Sequence, residues 1–204
     1  MSETVDIDNN RRHFLHSFTI LLGSATAAQL IDGSGLSSAL AYRAKEDSTA
    51  QDAMVFKQLH MQMLKCICDL IMPKTETLSA SELDVHGFVD HQLNTVYSQH
   101  QQVQAIGLLE KMTRISQTHF KHDFHLLRSA AQLEILASIE NQNMGFTEQD
   151  TTIFKLLKSL IVFGYFTTEY GATEVLKYQA IPGGYRGSIP YKSVDSSWGS
   201  LGFY

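Results

Sequence analysis

Cysteine and proline are almost missing from this chain, with two of the first and three of the second among 204 residues. The cysteines, Cys66 and Cys68, are two positions apart, which points their side chains in different directions on a helix and opposes a disulfide between them. An internal disulfide framework is thereby excluded, and C-x-C with no third cysteine makes a poor metal or redox motif. Both read as small packed thiols. The sequence has no C-x-x-C-H haem attachment site, Walker loop, strand-linked G-x-G-x-x-G, nucleophile elbow or zinc-protease motif. After the N-terminal region no apolar run reaches the roughly 20 residues that a spanning helix needs. Charge of neither sign dominates, the formal net being −5. Nothing here attracts nucleic acid or an anionic membrane surface.

What is present begins with a pair of arginines. Asn10-Arg11-Arg12-His13-Phe14-Leu15-His16 follows the twin-arginine export pattern, with Arg11, Arg12, Phe14 and Leu15 at its informative positions and departures at Asn10 and His16. A mildly apolar stretch from Phe18 to Ile31 comes next, broken by Thr19, Gly23, Ser24 and Thr26. Ala39-Leu40-Ala41 then reads as an A-x-A processing site, with cleavage after Ala41. The plainer alternative is an amphipathic N-terminal helix, but the order of charged, apolar and small regions favours a signal peptide. Residues 1–41 are therefore read as a leader to the periplasm. The 163 residues from Tyr42 on suit one domain and carry 14 basic and 17 acidic side chains. Residues 42–53 are polar and read as a loose linker into a helical domain over 54–171.

The domain shows helical spacing throughout. Val55, Phe56, Leu59, Met63, Cys66, Ile67, Leu70 and Ile71 mark a first helix that Pro73 stops. Val85, Phe88, Val89, Leu93 and Val96 mark a second; Val103, Ile106, Leu109, Met112, Ile115 and Phe120 a third. Ser129 is placed to cap a fourth, through Leu133, Ile135, Leu136 and Ile139. Gly145 ends that stretch, and Thr147 with Asp150 caps the last helix, which is apolar around most of its circumference from Ile153 to Tyr165. A helix of that kind is central to its bundle or faces a partner. No segment alternates with period two. The expected fold is all-α, a compact helical bundle with an extended, irregular tail over 172–204.

That tail holds Tyr178, Pro182, Tyr185, Tyr191 and Trp198. Irregular segments so rich in aromatics lie on something, because each buried ring contributes about 1.5–3 kcal/mol. With Tyr165 and Phe166 these residues form the expected partner-binding set. The histidines offer one candidate metal site: His119, His122 and His125 are spaced H-x-x-H-x-x-H, and residues three apart share a helix face. On a continuous helix His125 and Asp123 point away from the face of His119 and His122, so a solvated polar face is the competing reading. A free-standing periplasmic helical protein using His119 and His122 for a metal or ligand is the alternative function.

Three stretches together carry a resemblance. They are the twin-arginine leader; Cys68-Asp69-Leu70-Ile71-Met72-Pro73 before a Thr-rich loop; and a closing block of Gly164-Tyr165-Phe166-Thr167, Gly171-Ala172-Thr173, Tyr178 and Pro182-Gly183-Gly184-Tyr185-Arg186-Gly187. The chain resembles the gluconate 2-dehydrogenase subunit 3 family over most of residues 11–191, with residues 75–150 similar only in helical pattern. The resemblance implies a non-catalytic small subunit, with no catalytic residue and no cofactor of its own. Its implied role is to support folding, export and assembly of a periplasmic sugar or sugar-acid dehydrogenase. The implied partner is a flavoprotein large subunit of the glucose-methanol-choline type that carries FAD. A cytochrome c subunit commonly completes such complexes, and contact with the membrane would run through those partners. Ser188 stands where several relatives have cysteine, which implies a complex held by noncovalent contacts alone.

Overall fold

The computed structural model describes residues 41–50 and 53–176. Among the described residues, those up to Tyr165 belong to one compact unit and those from Phe166 on to a second. Five α-helices occur among the described residues: α1 Gln58–Ile71, α2 Val85–Thr95, α3 Gln99–Ile115, α4 Ser129–Glu140 and α5 Glu148–Thr167. No strand occurs among them, so the fold is all-α. No helix among them is long and apolar enough to cross a membrane.

The first unit is organised around α1. It lies against α2, α3 and the short turns Ser48–Ala50 and Phe124–Leu126. Met61, Met63, Leu64, Ile67 and Cys68 are buried along it, and Cys68 and Cys66 are both free thiols. Helix α1 begins at Gln58, so Val55 and Phe56 precede it rather than extend its face. It stops one residue before Met72, because Pro73 disfavours helical geometry in the residue ahead of it. The following loop is held by Asp69, whose carboxylate accepts from the Ser81 amide at 3.0 Å and the Ser81 hydroxyl at 2.7 Å.

The caps follow local chemistry. Ser98 and Gln101 make a reciprocal capping box at the start of α3. Thr147 and Asp150 do the same for α5, the Thr147 amide donating to Asp150 at 2.7 Å. Ser129, expected as the cap of α4, is instead its first helical residue, and Arg128 holds the cap position with no side-chain bond. The buried face of α3 runs through Ala105, Leu108, Leu109, Met112 and Ile115. Val103, assigned to that face by spacing, is 60% exposed, and Leu133 on α4 is 49% exposed.

Helix α5 is buried within its own unit at Ile153, Phe154, Leu156, Leu157, Leu160, Ile161, Phe163 and Tyr165. Gly164 allows its close approach to α2, since a Cβ there would lie 2.5 Å from the Phe88 ring. Tyr165 corrects the sequence reading. It is 1% exposed, and its hydroxyl donates to the Leu78 carbonyl at 2.8 Å, so it belongs to the core rather than to a free partner-binding face. In the second unit, α5 ends at Thr167 and a π-turn spans Gly171–Val175, where the Gly171 amide donates to the Thr168 hydroxyl at 3.0 Å.

Candidate functional site

The densest polar cluster lies where the chain enters the helical domain, and two aspartates on or beside α2 build it. Asp84 sits at a left-handed corner, φ 55° and ψ 31°, just before the helix. Aspartate tolerates that region better than most residues. It is 1% exposed, and a carboxylate so buried has to be satisfied by donors. The Tyr42 hydroxyl supplies one at 2.5 Å, the Lys45 amide another at 2.9 Å, and Ser48 gives both its amide and hydroxyl, at 3.0 and 2.8 Å. Asp90, within α2, repeats the device. Its carboxylate accepts from the backbone amides of Met54, Val55 and Phe56 at 2.6, 3.0 and 3.0 Å.

The segment ahead of α1 has little regular structure of its own, and these two carboxylates stand in for the partners that a helix or sheet would give its amides. The expectation of a loose linker over 42–53 is therefore corrected by the bonds of Tyr42, Lys45 and Ser48: this entry is tied down. Tyr42 also packs edge-on to Phe88, with centroids 5.7 Å apart, and against His91 at 5.3 Å. Gly87 makes the fit possible, because a Cβ there would come within 2.3 Å of the Tyr42 hydroxyl and 2.2 Å of Ser48 Oγ.

His86 and Asp47 close the cluster from beneath. The His86 ring is fully buried, and its Nε2 lies 3.2 Å from Asp47 Oδ1 and 3.4 Å from Asp84 Oδ1. Burial lowers the His86 pKa despite those two carboxylates, so the neutral ring with its proton on Nε2 fits the site. Partial burial pushes the Asp47 carboxyl up, but hydrogen bonds from Lys65, Thr49 and His86 outweigh it and hold it well below the usual carboxylate range. Burial, then the bond to Asp84, pushes the Tyr42 phenol up, so it remains a donor. A cleft of about 180 Å³ opens beside this cluster, lined among others by Tyr42, Arg43, Met54, Met61, Asp90 and His91. Its carboxylates are committed to backbone amides, an arrangement that positions chain rather than substrate.

The residues singled out from the sequence fall elsewhere. Arg11, Arg12, Phe14, Leu15, Ala39, Tyr178, Pro182, Tyr185, Tyr191 and Trp198 lie outside the described residues. Ala41 is exposed and Phe166 is half-buried. His119 and His122 are both exposed, and they do not share one helix. His119 lies in a π-turn, Ser116–Phe120, and Lys121, at φ 63°, turns the chain away before His122. Asp123 is engaged by the Gln117 amide group at 2.5 Å. Among the described residues no group of three or more His, Cys, Asp or Glu side chains is placed to hold a metal ion.

Sequence reasoning did not single out Asp84, Asp90 or Gly87. The signal for Gly87 was available, since an isolated glycine inside a helical pattern often marks a close approach. No curated protein and no solved structure matches the chain. A family model, gluconate 2-dehydrogenase subunit 3, matches residues 58–183, from the first residue of α1 past the end of α5. That match takes in more than half of the sequence, and the chain belongs to the gluconate 2-dehydrogenase subunit 3 family.

Proposed function

We propose that this protein is the non-catalytic small subunit of a flavin-dependent sugar or sugar-acid dehydrogenase of the glucose-methanol-choline type, and that it exports and helps assemble the large subunit. The family match over residues 58–183 carries the reading, since its members are subunits of a gluconate 2-dehydrogenase complex. Two further observations support it. The Arg11-Arg12 leader suits a route for folded cargo, which a partner loaded with FAD before export would need. The main polar cluster of the helical domain is spent on fixing the chain's own entry segment, as expected of a scaffold. In this reading the flavin belongs to the large subunit, a cytochrome c takes up its electrons, and the complex works at the periplasmic face of the membrane.

The test is export of the partner. Replacing Arg11-Arg12 by Lys-Lys removes the planar guanidinium pair that the exporter reads. The flavoprotein partner should then stay in the cytoplasm with it, and periplasmic dehydrogenase activity should be lost. Undiminished activity in the periplasm would refute the export role. The subunit purified alone should be colourless and inactive on gluconate and on aldoses.

A further inference from the structure

The anchored entry bears directly on the leader. If residues 1–41 are a leader processed at Ala39-Leu40-Ala41, the bond to be cut joins Ala41 to Tyr42, and Tyr42 is the first residue of the latch just described. We propose that folding of the helical domain closes the Ala41–Tyr42 bond to the processing protease, so that the leader stays attached to the folded subunit. The inference rests on the reading of 1–41 as a signal peptide, and it reverses the expectation that this signal is removed.

The bond is protected by anchoring rather than by cover. Ala41 and Arg43 are exposed and Tyr42 is half-buried, so the stretch is not enclosed. A protease must nevertheless draw several residues on each side of the bond into extended form in its own cleft, and susceptibility follows the burial and hydrogen bonding of that stretch. Tyr42 is held by its hydroxyl on Asp84 and by its ring on Phe88 and His91. Lys45 and Ser48, three and six residues further on, are held by their amides on the same carboxylate. Pulling Tyr42 out would therefore leave Asp84 without its shortest hydrogen bond, in a site 1% exposed. Cleavage then proceeds only through the open fraction, and its rate scales with that fraction. Gly87 sets the fraction, because a methyl group there meets the Tyr42 hydroxyl and Ser48 Oγ while leaving the sequence around the scissile bond unchanged.

The experiment uses the full chain, purified folded from a host that lacks the exporter, with purified bacterial signal peptidase in detergent and intact-mass readout. A synthetic peptide of residues 34–48 is the control. The peptide should be cut after Ala41, the folded wild type should remain whole over the same time, and Gly87→Ala should be cut at least tenfold faster than wild type. Folded wild type cut at the peptide's rate would overturn the proposal while leaving the leader reading intact. A peptide that is not cut would overturn the leader reading, and the proposal with it. Should Gly87→Ala not fold, hydrogen exchange on the wild type decides: the Lys45 and Ser48 amides should be protected like those of α1, and free exchange at both would equally overturn the latch.

Discussion

Gly87 faces Tyr42 across a gap that one methyl group would close, its absent Cβ lying 2.3 Å from the tyrosine hydroxyl. Gly107, one helix later, has nothing within 4 Å of the same position. The two glycines therefore separate helix propensity from packing. Alanine at either improves the helix by roughly 0.8–1 kcal/mol. At Gly107 that gain should appear as a stabilisation of this size in urea melts. At Gly87 the methyl group meets Ser48 Oγ as well as Tyr42, and the displaced donors leave Asp84 under-satisfied in the interior. The outcome there should be a net loss of about 1–3 kcal/mol, the range for overpacking a filled site. Equal effects at the two positions would show that the entry segment is not bound to α2.

Asp84 carries the larger consequence. Alanine in its place strands two backbone amides and two hydroxyls that now share one carboxylate. A buried donor left unsatisfied costs about 1–3 kcal/mol, and not all four can turn to water. A loss of at least about 3 kcal/mol is expected for Asp84→Ala on that basis. Asp84→Asn keeps one acceptor oxygen and should lose less. Chemical denaturation of both variants checks the order, and an alanine variant as stable as the asparagine one would mean that the network contributes little.

Acid should destabilise the domain in two stages. Burial lowers the pKa of His60, His86 and His91 below the ordinary 6.5. Their unfolded forms thus take up protons in a range where the folded protein refuses them, so stability falls as pH drops below about 6.5. The His86 ring is fully buried, and that burial outweighs the pull of Asp84 and Asp47 toward the charged form. Asp47 and Asp150 act lower down. Each is pushed up by burial but held below 3.8 by stronger bonds, those of Lys65 and Lys111 foremost. Their contribution is complete above about 3.8 and is lost as pH falls through their folded values. Melting temperature against pH should show the upper decline, and His86→Gln should flatten it. A profile level from pH 7 to 5 would contradict the buried neutral histidines.

The helices were legible because each buries one stripe, and a stripe leaves its spacing in the sequence. The spacing of Leu109, Met112 and Ile115 located α3, and the pair Thr147 and Asp150 marked where α5 begins. The same rule misplaced Val103 and Leu133, since spacing names a face but not which of its edges a neighbour covers. The anchored entry left no such trace. Asp84 and Asp90 bind backbone amides 34 to 39 residues earlier, and an amide donor looks the same whatever the side chain. Polar residues at 42–53 therefore read as a loose linker, although Ser48 is buried and Tyr42 is fixed at both ring and hydroxyl.

Tyr165 and Trp198 were grouped by sequence as partner-binding aromatics, and they should separate in experiment. The Tyr165 ring is core and its hydroxyl reaches the Leu78 carbonyl, so its role is internal. Tyr165→Phe keeps the ring and removes one buried hydrogen bond, which should cost about 1 kcal/mol. Capture of the flavoprotein subunit by the folded variant should be unchanged. Trp198 and Tyr185 belong to the aromatic stretch after Gly171, which the sequence reading expects to bind the partner. Tyrosine and tryptophan anchor many interfaces, and truncating a central one commonly costs 2 kcal/mol or more. Trp198→Ala or Tyr185→Ala should therefore weaken the complex by about tenfold or more, at 1.4 kcal/mol per tenfold. The thermal melt of each subunit alone should stay at the wild-type value. The measurement pairs a circular-dichroism melt of each variant with its titration against the large subunit. A tail variant that melts early and still binds would move those rings into the protein's own core. A Tyr165→Phe variant that melts normally and loses the partner would return Tyr165 to the interface.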